Sequence, residues 1–181
     1  MTTPLFHIVL HQPQIPNNTG NIGRTCVATG CSLHLIRPLA FDTSEKACRR
    51  AGLDYWARLA PVEHETLDAC LASLVGSEPE RSGRLWVFTT RTGRVVHDVE
   101  LNAGDVLLFG GETSGLPAEL VARYTERSVR LPMAPGERSL NLATAVCAAV
   151  YLGIDQLLRR GRLRTGPGAT LLGPGDGGSA A

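Results

Sequence analysis

"DVLLFGGETSGLP", Asp105 to Pro117, joins a short apolar run to a turn that carries Gly110, Gly111 and Gly115. A run of that length, apolar without alternation, reads as a strand covered on both faces. The pattern recurs: "FHIVL" (Phe6 to Leu10), "LHLIR" (Leu33 to Arg37), "LWVFTT" (Leu85 to Thr90) and "SVRLP" (Ser128 to Pro132) read as four further strands. Helical stretches separate them. "NTGNIGRTCVATG" has Asn18 or Thr19 as a possible cap, sets Ile22, Cys26 and Val27 on one face and stops at Gly30. "SEKACRRAG" (Ser44 to Gly52), "HETLDACLASLVG" (His64 to Gly76) and "PAELVARY" (Pro117 to Tyr124) follow, and a long last helix begins after "GERSLN". Short buried strands alternating with helices predict an α/β domain with a mostly parallel sheet and helices on both faces. The domain is expected over residues 1–160. Residues 161–181, "GRLRTGPGATLLGPGDGGSAA", are rich in Gly and Pro without periodicity and are expected to be a disordered tail.

Bulk composition narrows the classes. Hydrophobic residues make up 43% and charged residues 19%, which is ordinary for a globular domain, and the net charge of +1 gives no global attraction to nucleic acid. Any RNA contact must therefore come from a local patch, and Lys46 is the only lysine among 18 basic side chains. Cys26, Cys31, Cys48, Cys70 and Cys147 are odd in number and show no C-x-x-C pair, favouring free thiols in a reducing cytosol over disulfides or zinc. No metal is expected. The apolar run Leu140 to Ile154 is interrupted by Asn141 and Thr144 and falls short of the roughly 20 residues of a membrane span. A soluble, cytoplasmic protein is expected.

In such sheets ligands bind beyond the carboxyl ends of the strands. Three loops there are unusual. "HQPQIPNNTGNIGRT" lacks both G-x-G-x-x-G and the P-loop pattern, yet places Arg24 one turn into a helix, opposite the apolar face. Pro13, Pro16, Asn17 and Gly20 could equally build only a turn and cap. "FGGETSGLP" offers glycines for close backbone approach and Glu112, Thr113 and Ser114 for hydrogen bonds. "LPMAPGERSLNLATAVCAAVYL" crowds Glu137, Arg138, Ser139 and Asn141 at the mouth of an apolar helix, more polarity than one cap requires; Ser139 can cap it.

Together "NNTGNIGRT", "LLFGGETSGLP" and "RLPMAPGERSLNLATAVCAAVYL" resemble, in order and spacing, motifs one, two and three of the SPOUT superfamily of RNA methyltransferases, SpoU class. The likeness runs from about Phe6 to Leu158. With "RRAGLDYW" (Arg49 to Trp56) and no appended RNA-binding domain, it is most similar to the branch acting on the tRNA wobble nucleotide. The resemblance implies a deep C-terminal trefoil knot that holds S-adenosyl-L-methionine and a homodimer whose site is completed across the interface. It further implies transfer of a methyl group to the ribose 2′-hydroxyl of a tRNA wobble cytidine or uridine. Carried onto this chain, the cofactor contacts are Phe88, Gly110, Leu131 and Ser139, with Thr89, Glu112, Met133 and Leu140 as neighbours. Arg24 and Asn141 are the catalytic candidates, and Arg24, Arg49, Arg50, Arg58 and Arg138 the RNA contacts, with Tyr55 and Trp56 for base stacking; Trp56 could equally belong to the core, and Arg49 and Arg50 to the solvated face of a short helix. Gly23 stands where the family more often has a larger residue, and Gly111 where it often has proline.

Three rival readings remain. A catalytically silent RNA-binding relative would be expected to lose Arg24 or the Ser139 to Asn141 cluster, and both are present. A nucleotide-binding oxidoreductase would need an acidic residue after the second strand, where Arg37 stands. Another tRNA position or ribosomal RNA as target is open to the same sequence.

Overall fold

Six strands form one sheet in the order β3-β2-β1-β5-β4-β6, and every pairing in it is parallel. They are β1 (Phe6–His11), β2 (Ser32–Ile36), β3 (Val62–His64), β4 (Leu85–Phe88), β5 (Asp105–Phe109) and β6 (Ser128–Val129). The computed structural model describes residues 3–44, 47–48, 52–79 and 82–173. The helices that pack on it among the described residues include α1 (Pro16–Thr29), α2 (Trp56–Leu59), α3 (Leu67–Val75), α4 (Ala118–Arg123) and α5 (Leu142–Arg159).

Alternation along each strand sends its side chains to two cores. On one face Phe6, Ile8, Leu10, Leu33, Leu107 and Phe88 pack with Ile22 and Cys26 of α1 and with Val146, Val150 and Ile154 of α5. On the other, Val9, Ile36, Val87, Val106 and Leu108 meet Leu67, Cys70 and Leu71 of α3, with Leu120 and Val121 of α4 at the margin. The parallel α/β expectation holds. Helix α5 has the length and composition of a membrane span. Its inner face is nonetheless buried in the core, with Val146, Ala149 and Val150 fully covered.

Several boundaries differ from the sequence reading. Strand β3 went unread: it has three residues at the sheet edge, Val62 is 46% exposed, and its polar neighbours hide the pattern. Helix α1 begins at Pro16 after Ile15 rather than at a cap from Asn18 or Thr19, because proline is suited to the first helical position. Asn141, not Ser139, caps α5, its Oδ1 accepting from Thr144 N at 3.2 Å. The segment after Arg160 is structured as far as Gly173. Leu163 is buried, Arg164–Thr165 (β7) pairs antiparallel with Leu171–Leu172 (β8), and Leu171 packs against the core. Glycine and proline there turn a hairpin instead of loosening a tail; residues 174–181 lie outside the described residues.

Candidate active site

The ends of four strands are level: Leu10 lies opposite Phe109, Phe109 opposite Phe88, and Phe88 opposite Val129. The loops leaving them enclose a cleft of about 650 Å³. Its floor is the stacked pair Phe88 and Phe109, ring centroids 4.7 Å apart. All eight residues expected at the cofactor, Phe88, Thr89, Gly110, Glu112, Leu131, Met133, Ser139 and Leu140, line this one cleft, as do Arg138 and Asn141. Thr113, read from the sequence as a hydrogen-bonding group, lines it too, as do Thr90, Arg91 and Arg130, which were not singled out.

The glycine turn owes its shape to self-packing. A Cβ on Gly110 would stand 2.2 Å from the carbonyl carbon of Gly115 and 2.3 Å from Leu116 N, so backbone crosses backbone here with no room for a side chain. The turn closes on itself, Gly115 N donating to Gly111 O at 3.0 Å. Arg91 grips the far side of the turn, donating to Leu116 O at 3.1 Å and Ser114 O at 3.2 Å. The glycines therefore build the wall before any ligand arrives.

One network ties the three loops together. The Glu112 carboxylate accepts from Gln14 N at 2.8 Å, Ile15 N at 3.2 Å and Asn18 Nδ2 at 3.0 Å. Asn18 Oδ1 in turn accepts from Asn141 Nδ2 at 2.9 Å. Helix α1 has no cap from its own Ile15, so a carboxylate from the second motif supplies the negative charge its N-terminus favours. The side chain of Glu112, read from the sequence as a cofactor neighbour, is thus engaged by the first motif. Asn141 likewise serves the α5 cap and the tie to Asn18.

Arg24 stands apart. It is exposed on α1, outside the cleft lining, with its guanidinium 4.7 Å above the Tyr55 ring. Tyr55 and Trp56 are buried, so Tyr55 is not the exposed stacking platform expected of it and Trp56 takes its alternative place in the core; the Tyr55 hydroxyl donates to Gly20 O and Trp56 Nε1 to Thr43 O at 3.1 Å. Gly23 lets α1 press onto this pair, since a Cβ there would meet Leu59 Cδ2 at 2.8 Å and Trp56 at 3.3 Å. Arg58 is exposed on α2. Arg49 and Arg50 lie outside the described residues. Beside the cleft, α5 presents Tyr151, 56% exposed, next to Leu140, 43% exposed. These residues edge a shallow apolar surface with Leu131, Pro132 and Leu152.

A parallel sheet with such a cleft at its carboxyl edge defines a fold class, and residues 5–151 match the SpoU rRNA Methylase family, to which this chain belongs. A tRNA (cytidine(34)-2′-O)-methyltransferase of Saccharophagus degradans is 45% identical over 154 residues, covering 84% of this chain and 96% of the relative. A solved structure concerning "the 2-OH methylation of C/U34 on tRNA" superposes with a TM-score of 0.73 at 42% identity, covering 86% of this chain and 97% of that one. The SpoU methyltransferase AviRb of Streptomyces viridochromogenes, in complex with AdoMet, shares the fold. Its TM-score is 0.70 at 22% identity, covering 87% of this chain and 60% of that one.

Proposed function

We propose that this methyltransferase transfers a methyl group from S-adenosyl-L-methionine to the ribose 2′-hydroxyl of the wobble nucleotide, a cytidine or modified uridine, of tRNA. The carrying observation is the convergence of the three motifs on one cleft, locked by Glu112, Asn18 and Asn141, in a chain 45% identical to an enzyme named for that reaction. The cleft volume of about 650 Å³ fits a small-molecule ligand. Its apolar Phe88, Leu131 and Leu140 suit an adenine ring, and the turns around Gly110 and Met133 offer main-chain groups to read the ring edge. When bound, S-adenosylmethionine supplies a methyl on an electrophilic sulfonium.

The chain's task is then alignment and charge. Ser139 and Leu140 hold the cofactor side, and Arg138 at the rim holds RNA phosphate. A guanidinium is a poor proton acceptor and a good forked partner for phosphate. Arg24 accordingly holds the phosphate beside the reacting ribose and stabilises developing negative charge on its oxygen, while phosphate or water takes the proton. Because Arg24 lies outside the cleft of its own chain, the site is completed in a homodimer, Arg24 of one protomer facing the cleft of the other. The exposed Tyr151 and Leu140 surface is the dimer contact. The same reading places the enzyme in the cytoplasm and threads α5 through the loops of motifs two and three as a trefoil knot.

Mass spectrometry of nucleosides from unmodified tRNA incubated with the protein and S-adenosylmethionine tests the assignment. A 2′-O-methyl group at the wobble nucleotide is the expected result, and methylation only elsewhere overturns it. Mixing Arg24→Ala with a cleft variant away from the dimer contact, Thr89→Arg, tests the shared site. Each alone is expected to be inactive and the mixture to regain activity through heterodimers, whereas no recovery from co-refolded chains would rule out a site built across protomers. Arg24→Lys with full activity would remove the forked-contact role.

A further inference from the structure

Away from the cleft, on the α3 face of the sheet, stands a row of imidazoles that methyl transfer does not use. His7, His34 and His64 come from β1, β2 and β3 and point to the same face. His34 Nδ1 is 3.1 Å from His64 Nε2, and Ser32 Oγ lies 3.0 Å from His34 Nε2 and 2.8 Å from His7 Nδ1. Over this row α3 places the buried Cys70, and the ligand atoms of His34, His64 and Cys70 all lie within 4.8 Å of one another.

We propose that His34, His64 and Cys70 form a binding site for a divalent transition cation of the zinc type, pinning edge strand β3 to β2 and α3. Two imidazole nitrogens and a thiolate are the donors zinc prefers, and tetrahedral bonds of about 2.0–2.1 Å to nitrogen set ligand nitrogens roughly 3.3 Å apart. The present 3.1 Å separation is within a few tenths of an ångström of that. The backing of His34 also fits. A metal-bound histidine commonly donates its second N–H to a fixed acceptor, and Ser32 Oγ, 3.0 Å from His34 Nε2, is placed to accept that proton in the tautomer whose Nδ1 carries the lone pair.

Cys70 gives up its thiol proton to solvent as the metal–sulfur bond forms, and His64 carries its single proton on Nδ1 so that Nε2 can coordinate. Three protein ligands leave a fourth position for water, reached from the sheet edge where His64 is half-buried and Val62 exposed. The five cysteines suggested no such site because only one contributes, with ligands at positions 34, 64 and 70 in no motif spacing.

The test uses the full chain, stripped with a chelator and titrated with zinc against a chromophoric competitor, then with cobalt. One ion per chain is expected, together with cobalt ligand-field bands and a thiolate-to-cobalt charge-transfer band. His64→Asn and Cys70→Ala should weaken binding by at least about a hundredfold, and Ser32→Ala by about tenfold. His97→Asn, outside the row, should leave it unchanged. His64 sits on an edge strand, so His64→Asn remains informative if Cys70→Ala fails to fold. Absence of saturable stoichiometric binding, a cobalt spectrum lacking the thiolate band, or affinity unmoved by His64→Asn would each overturn the site.

Discussion

The cleft and the imidazole row are two polar networks in one sheet, built from opposite kinds of partnership. In the cleft the bonds join residues remote in sequence: Asn18 and Glu112 are 94 positions apart, Asn18 and Asn141 are 123 apart. They fix loops against one another, so their strength sets where a ligand can lie. In the row the partners come from adjacent strands, whose parallel register has already placed them. They fix the sheet edge and say nothing to the cleft. The same chemistry, a network of side-chain hydrogen bonds, shapes a site in one place and staples a scaffold in the other.

If the cleft wall is built by self-packing, its most damaging change is the smallest. Gly110→Ala would drive a methyl group into main-chain atoms that cannot rotate away, at a cost of about 3 kcal/mol. Urea denaturation should show that loss together with abolished cofactor binding by calorimetry. Stability unchanged from wild type would mean the turn has another conformation available. Glu112→Ala is expected next, at about 2 kcal/mol, because Gln14 N, Ile15 N and the Asn18 amide lose their acceptor and α1 its capping charge. Cofactor affinity should fall with it, although Glu112 is not held to touch the cofactor. Glu112→Gln, keeping one acceptor, should recover part of both.

The imidazole row breaks the comparison in a different variable. Burial, with His7 and His64 nearby, pushes His34 down to about 3. Burial likewise lowers His7 and His64. A histidine near 6.5 when unfolded and lower when folded favours the fold in its neutral form. That stability is complete above about pH 6.5 and drains as pH falls toward 3, at about 1.4 kcal/mol per pH unit for each histidine fully held neutral. For chelator-treated protein, unfolding free energy should drop by about 2 kcal/mol from pH 7 to pH 5, with most of it from the buried His34. Asp105, whose carboxyl burial pushes up, works in the opposite direction. His34→Gln is therefore the control, and an undiminished pH slope in that variant would take the effect away from the row.

What the sequence made legible follows the same division. Apolar strands and the three motifs were readable because burial and glycine leave local marks, and the cofactor candidates taken from the motifs lie together along one cleft. Glu112 was assigned to the cleft from its loop, but its engagement with α1 was invisible, since no local pattern reports a bond across 94 residues. Strand β3 escaped because three residues at an exposed edge carry no alternation. With it escaped the row, whose members share a face only once β2 and β3 are in register. Tyr55 read as an exposed stacking ring and Trp56 as either a stacking ring or core, and only the glycine-thin face of α1, at Gly20 and Gly23, shows why both are buried.

Asn141 permits the finest cut, because its two ends do different work. Oδ1 caps α5 through Thr144 N, and Nδ2 donates to Asn18 Oδ1. Asn141→Ala removes both and should cost about 1 kcal/mol, the worth of a helix cap, and weaken cofactor binding. Asn141→Asp keeps an acceptor at the cap, with charge that the helix N-terminus favours, but turns a second oxygen on Asn18 where a donor had been. Its melting temperature should stay close to wild type while cofactor affinity falls as far as in Asn141→Ala. If the aspartate variant instead binds cofactor normally, the tie to Asn18 is incidental, and the cleft is held by Glu112 alone.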